Sequence, residues 1–482
     1  MVKVTWSNKK SSAIKGNVTV VGAFDGTGSN GTLITHLGAK YKDTFKRMNF
    51  KPTLGNTLLT QNHTNVVLVV GLGSAKELSL DTLRRACASA SRAVSSFDIA
   101  VVDLGETASS VLSPDVVARG IYEGFALGLY NYSKYKAGNN TNIKSVVIAD
   151  VTKASTVKTF EKVAKISNSV IWARDAINTP PNGKAPKEFA KNIATFLKAT
   201  NLKIEILDEA TIKRKKMVGV IAVGQGSYNK PAFVRVSYKS PGAKKTVALV
   251  GKGVIFDSGG LSIKVGDGMA TMKCDMSGAA AVVGAMKSIS QIKPKVNVEA
   301  YIPLVENMPG GGAFRVSDIL EYRNGVSVEI GNTDAEGRLI LADGLIWASE
   351  TKPDVIIDLA TLTGAIVIAL GEKIAAAMSN NDNMRTKVLE ASERAGERFW
   401  PMPLPEDYRK DIDTPVADVI NTGKRYGSSL TAGLFLREFV GDVPWVHLDI
   451  AGPAFLDSTD GENIAGGTGF AVRTLVEFVE TF

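Results

Sequence analysis

Two hydrophobic periods organise the chain. From residue 157 the apolar positions Phe160, Val163, Ile166, Val170, Ala173 and Ile177 recur every three or four residues, which puts them on one face of a long amphipathic helix. Pro180-Pro181 stops it, with Asn178 just before the break. Upstream, the apolar run Asn65-Val66-Val67-Leu68-Val69-Val70 leads into Gly71-Leu72-Gly73 and then a helical pattern through Leu83, Ala86 and Ala90. Strand, tight glycine turn and helix in that order imply an α/β layer. The Gly71-Leu72-Gly73 turn is read as structural, because Lys76 stands where a dinucleotide fingerprint needs its third glycine.

Beyond residue 180, strands are expected at 217–224, 232–238, 246–256, 296–304 and 354–360, alternating with helices at 276–290 and 338–350. The expected fold is α/β: a smaller N-terminal α/β domain over residues 1–155, a connecting helix over 156–180, and a C-terminal domain over 181–482. That last domain should hold a central mixed sheet covered by helices. No internal repeat or low-complexity segment is expected.

Composition narrows the class. A chain of 482 residues with 44% hydrophobic and 22% charged positions is an ordinary globular protein, which excludes fibrous and disordered classes. Two cysteines, Cys87 and Cys274, cannot form a disulfide framework and fit a reducing compartment. The opening MVKVTWSNKK lacks an apolar signal core, and no run of 18 apolar residues occurs, so a cytoplasmic protein without a membrane partner is expected.

Charge is uneven. Residues 1–250 carry 36 Lys and Arg against 16 Asp and Glu, and the remainder 21 against 32, so the halves stand at +20 and −11. Solvated faces such as Lys213-Arg214-Lys215-Lys216 account for most of the basic excess; nucleic-acid binding is the rival, without a groove-reading motif beside it. With only His36, His63 and His447 available, the usual histidine zinc spacings are absent, and metal chemistry must rest on oxygen ligands.

Two polar clusters sit where strands should end. The first runs Gly251-Lys252-Gly253-Val254-Ile255-Phe256-Asp257-Ser258-Gly259-Gly260-Leu261-Ser262-Ile263-Lys264, followed by Met272-Lys273-Cys274-Asp275. Its glycines let backbone approach a ligand, although Lys252 and Asp257 read alone also fit a loop ion pair. The second is Asn332-Thr333-Asp334-Ala335-Glu336-Gly337-Arg338-Leu339. If that chain is extended, residues i and i+2 share a side, so Asp334 and Glu336 converge and need a cation or proton between them. An acidic helix cap would explain one of the two acids, but not both.

The strings NTDAEGRL, GKGVIFDSGGLSIK, MKCDM, DLATLTGA and HLDIAGPA closely resemble the cytosol leucyl aminopeptidase family over residues 160–482. The first 150 residues are similar to it in general character only. The resemblance implies a di-metal peptidase domain over 181–482, with Lys252, Asp257, Asp275, Asp334 and Glu336 holding two divalent metal ions and Asp257 and Glu336 bridging. It implies Lys264 and Arg338 as the catalytic pair, and Met272, Thr361, Leu362 and Gly364 as the substrate pocket. It further implies bicarbonate held at Gly337 and Arg338 as general base, peptide substrates and a homohexamer. One departure is Val316-Ser317, where the family commonly has Pro-Gly.

The chemistry is coherent on physical grounds. Oxygen ligands suit Mn²⁺, Zn²⁺ or Mg²⁺, and paired metals activate water at neutral pH. Lys252 as a ligand must be neutral, which a neighbouring dication favours. Lys264 suits an oxyanion, and Arg338 at a helix start suits an anion. His447 is expected to satisfy hydrogen bonds at a strand end, and Cys274 to be a packed thiol. The resemblance implies an aminopeptidase preferring leucine and other large apolar N-terminal residues. Its rivals are a two-metal phosphoesterase and an aminopeptidase with an added DNA-binding role.

Overall fold

Continuous apolar runs become buried strands, and helices pack over them. The computed structural model describes residues 2–26, 31–62, 65–138 and 142–482; His63 lies outside them. The chain divides into two units, residues 1–171 with 457–465, and residues 172–456 with 466–482.

In the first unit a six-stranded sheet runs in the order Lys3–Trp6, Ser145–Ile148, Ile99–Asp103, Val18–Phe24, Asn65–Gly73, Thr57–Asn62. All neighbours are parallel except the last pair. Helices Leu80–Ala93 and Pro114–Gly128 cover it through Leu83, Cys87, Ile121 and Phe125, all in its core. The Gly71-Leu72-Gly73 expectation needs correcting: these residues end the strand instead of forming a separate turn. A Cβ on Gly71 would lie 2.1 Å from the Thr53 carbonyl oxygen, so close backbone approach explains the glycine.

The long helix is Ala154–Asn178, and all six apolar positions that predicted it are buried. The division between the units falls inside it, between Ile171 and Trp172, and Asp457–Ala465 group with the first unit.

The second unit carries a nine-stranded mixed sheet. Its path is Phe399–Pro401, Ala375–Ser379, Trp445–Asp449, Val355–Ala360, Thr246–Gly251, Asn297–Asn307, Ala232–Tyr238 and Lys203–Leu207, with Gly253–Asp257 paired to the far end of Asn297–Asn307. The four central strands from Trp445–Asp449 to Asn297–Asn307 are parallel. Antiparallel pairings flank them. Every residue of Val355–Ala360 is buried, as a central parallel strand requires. Helices Ser277–Ile292 and Gly337–Glu350 pack on it, and their apolar faces are almost wholly buried.

One expected strand is a helix. The apolar run at 217–224 forms Val218–Gly224, with Val220 and Val223 in the core beside Leu339 and Ile340. A short unbroken apolar run suits a buried helix as well as a strand, and here packing decides. The Asp343 carboxylate fixes the choice by accepting the Val220 N–H at 2.8 Å, a helix-start donor that a strand would have paired laterally.

Candidate active site

The central parallel strands all end on one side, where ligands of α/β sheets gather. Thr246–Gly251 delivers Lys252, Gly253–Asp257 delivers Asp257, Val355–Ala360 leads into Thr361, and Trp445–Asp449 ends on Asp449. Asp275 precedes helix Ser277–Ile292, and Glu336 is the residue before helix Gly337–Glu350.

These ends bring four carboxylates around two ammonium groups. Lys252 Nζ lies 2.8 Å from Asp275 Oδ1 and 3.0 Å from Glu336 Oε1, and it donates to the Thr361 carbonyl at 3.0 Å. Lys264 Nζ lies 2.8 Å from Asp257 Oδ2 and 2.7 Å from Asp334 Oδ1. Lys252, Asp257, Asp275 and Glu336 are all buried. Among the described residues, Asp257, Asp334 and Glu336 form a group able to hold a metal ion, each offering an oxygen within 4.8 Å of the others.

Electrostatics follow from that crowding. Burial, reinforced by the Asp257 charge, pushes the Glu336 carboxyl up to about 8. Asp275 rises to about 6, mainly through burial, with Lys252 pulling the other way. Burial would lower the Lys252 ammonium, but Asp275, Glu336 and Asp257 together hold it well above its usual range. Two lysines do not neutralise four acids, and among the described residues Asp275 Oδ2 is buried without a hydrogen-bond partner. This donor set fits divalent cations.

The convergence of Asp334 and Glu336 has a different origin from the one expected. Asp334 sits in a turn and Glu336 has helical backbone angles, φ −78° and ψ −34°, so a tight bend brings the acids together, not extended chain. Glu336 makes no capping hydrogen bond, which leaves its carboxylate to the cluster.

Arg338 is buried, yet among the described residues it forms no ion pair and its Nε has no hydrogen-bond partner. Burial lowers it to about 10, so it remains a cation at neutral pH; the Phe435 ring lies 5.9 Å from its guanidinium carbon. A buried guanidinium without an ion pair is a fitting anion holder.

Met272 begins the short 3₁₀ turn Met272–Cys274. The Thr361 hydroxyl donates to Asp275 Oδ1 at 2.7 Å, and Leu362 N–H donates to Asp449 Oδ1 at 3.1 Å. Gly364 opens helix Gly364–Leu370, and among the described residues no atom beyond its chain neighbours and its own helix backbone lies within 4 Å of where a Cβ would stand. His447 Nδ1 lies 2.6 Å from Asp358 Oδ1, both fully buried, and Cys274 is a buried thiol pushed up to about 12 by burial. Ser317 holds φ +72°, backbone that the glycine of the usual family pair adopts without strain.

Two supporting residues escaped the sequence reading. Asn307 Nδ2 donates to Asp257 Oδ1 at 2.8 Å and to the Thr333 carbonyl at 3.0 Å, joining the two polar clusters. Asp449 accepts from Leu362 N–H and, at 2.7 Å, from the Thr363 hydroxyl. Asp449 lies in HLDIAGPA, which does not reveal its partners, and Asn307 lies outside the quoted strings.

Comparisons with known proteins agree with this geometry. Residues 171–476 match the model of the cytosol aminopeptidase family, catalytic domain, and residues 20–139 that of the same family's N-terminal domain. A probable cytosol aminopeptidase of Streptomyces avermitilis is 44% identical over 86% of this chain and 83% of its own. One from Gloeothece citriformis is 38% identical over 96% of this chain and 97% of its own. Among solved structures, the bottromycin maturation enzyme BotP in complex with Mn has a TM-score of 0.89 at 36% identity, covering 97% of this chain and 99% of its own. A mutant of tomato leucine aminopeptidase has a TM-score of 0.89 at 32% identity, covering 100% and 97%.

Proposed function

The chain belongs to the cytosol aminopeptidase family, and from that premise we propose that it removes leucine and other large apolar N-terminal residues from peptides with two divalent cations per subunit. The observation that carries the two-cation reading is the excess of four carboxylates over two ammonium groups in a buried site. That the bottromycin enzyme is found in complex with Mn supports a metal-dependent site here.

Lys252, Asp257, Asp275, Asp334 and Glu336 would hold the cations, with Asp257 and Glu336 shared between them. Mn²⁺ and Zn²⁺ suit these donors, and Mg²⁺ is admissible. When bound, the cations supply Lewis acidity and a water activated at neutral pH. Lys264 then places an ammonium where negative charge develops on the scissile carbonyl oxygen. Arg338, with the Gly337 backbone, would hold bicarbonate as the proton acceptor. Met272, Thr361, Leu362 and Gly364 would shape the pocket for the N-terminal side chain, and the open space at Gly364 leaves room for one. A cytoplasmic homohexamer completes the proposal. It draws on the resemblance and on the relatives' naming as cytosol enzymes; among the described residues no helix is long and apolar enough to cross a membrane.

The test is metal analysis of the purified protein together with hydrolysis of leucine amide, acetyl-leucine amide and a phosphodiester. Two metals per chain and cleavage confined to the free amine are expected. Equal cleavage of the acetylated amide, or cleavage of the phosphodiester alone, overturns the reading.

A further inference from the structure

Lys184 lies just beyond the Pro180-Pro181 break, outside both polar clusters. Its side chain is 1% exposed, and its ammonium has three protein partners. Nζ donates to the carbonyls of Ala176 at 2.9 Å, Ile177 at 3.1 Å and Lys273 at 2.8 Å. An ammonium has three N–H bonds, so its capacity is used in full. Two of the acceptors belong to the last turn of helix Ala154–Asn178, whose terminal carbonyls need donors and favour a cation. The third lies in the turn Met272–Cys274, which leads directly into Asp275.

A solvated surface lysine would have served a helix end. Burying one is costly, and burial does lower this amine, to about 7. The contact that capping does not explain is the one to Lys273, since Lys273 lies 89 residues away in sequence. That turn has little regular structure: three residues of 3₁₀ helix without a side-chain cap at its start. It nevertheless carries one proposed cation ligand, Asp275, and one proposed pocket residue, Met272.

We propose that Lys184 is a positioning residue for Asp275, its ammonium tying the Met272–Cys274 turn to the end of the long helix. The proposal rests on the assignment of Asp275 as a cation ligand. Groups that orient metal ligands from behind typically matter by about 10–100-fold in metal affinity. The sign of the effect is informative. Removing a buried cation near a cation site would by charge alone strengthen metal binding, whereas loosening the turn weakens it.

The experiment is a Mn²⁺ titration of the dialysed full-length protein, read by the paramagnetic resonance of free Mn²⁺, beside melting temperatures in the absence of metal. Lys184→Met should weaken the tighter Mn²⁺ step about 10–100-fold. Lys184→Gln, which keeps two N–H donors, should recover part of that loss. Lys287→Met removes another lysine that donates to a helix-end carbonyl, that of Phe196 at 2.8 Å, and should leave Mn²⁺ affinity unchanged. Unchanged or tighter Mn²⁺ binding in Lys184→Met overturns the proposal, and if that variant does not fold, the same result in Lys184→Gln does so. Asp275→Asn separates the premise. If it binds Mn²⁺ like the parent, the ligand assignment fails and takes this proposal with it; if it binds weakly while both Lys184 variants bind normally, the positioning role alone is wrong.

Discussion

Gly337 and Lys252 compete for the same space: a Cβ on Gly337 would lie 2.5 Å from Lys252 Cε and 2.6 Å from its Nζ. The glycine at the start of helix Gly337–Glu350 is therefore the gap through which the lysine reaches Asp275 and Glu336.

Gly337→Ala tests that relationship because its two effects oppose each other. Alanine is favoured over glycine in a helix by roughly 0.5–1 kcal/mol, and the clash is with the flexible end of a side chain, so the fold should survive. Lys252 must move, and metal retention and leucine amide hydrolysis should each fall by about tenfold or more. Parental activity in the folded variant would remove Lys252 from the site.

Glu336→Gln is nearly isosteric but removes a charge from the middle of the cluster. The variant should fold, lose metal on dialysis and lose hydrolysis together. Retention of two metals with parental turnover would contradict the bridging role.

Metal uptake should depend on pH with a definite sign. Without metal, Glu336 at about 8 keeps its proton at neutrality, Asp275 at about 6 sheds its own between pH 6 and 7, and Lys252 is a firm cation. Ligands must shed those protons, so apparent Mn²⁺ affinity should rise from pH 6 to 8, by up to about tenfold per unit for each proton displaced. For stability the sign is opposite. Glu336 is raised above its unfolded value, so its contribution in the metal-free protein is full below about 4.3 and lost as pH rises through about 8. Thermal stabilisation by Mn²⁺ should accordingly be larger at pH 8 than at pH 6, and calorimetry in buffers of different ionisation enthalpy should register proton release. A flat pH profile would show that these groups are not the ligands.

Asp343 gives a pH test away from the proposed ligands. It is buried, accepts the Val220 N–H through Oδ2, leaves Oδ1 unpartnered, and is pushed up to about 8 by burial. Because its folded value exceeds its unfolded one, its stability term is complete at low pH and lost as pH rises through about 8, with a slope of up to about 1.4 kcal/mol per unit. Asp343→Asn should flatten the dependence of unfolding free energy on pH between 5 and 8. Identical slopes in the two proteins would exclude Asp343 from that dependence.

Legibility in the sequence followed the range of the interactions. The period of Phe160 to Ile177 specified a helix because one face of it is buried throughout, and the apolar strands of the second unit were visible for the same reason. The run at 217–224 misled because its periodicity fits two structures, and Asp343, more than 100 residues away, decides between them. The five proposed ligands lie in two local clusters, and it is the family resemblance carried by their strings that names them. Asn307, Asp449 and Lys184 could not be named, because each acts through a partner brought near only by the fold.

Arg338 separates anion binding from metal binding. Its buried Nε without a hydrogen-bond partner is costly unless something uses it, and among the described residues the guanidinium makes no ion pair with the four acids, although Glu336 and Asp449 lie near enough to favour its charge. If it holds bicarbonate as proton acceptor, Arg338→Ala should keep both metals and a near-parental KM while kcat falls about 10²–10⁴-fold. Bicarbonate added to degassed enzyme should stimulate the parent and not the variant. If the arginine serves only packing against Phe435, the variant should instead melt at a lower temperature, keep its bicarbonate response and lose little turnover. Metal content, melting temperature and bicarbonate dependence measured on the two proteins decide between these roles, and an equal bicarbonate response in both would remove Arg338 from the proton transfer.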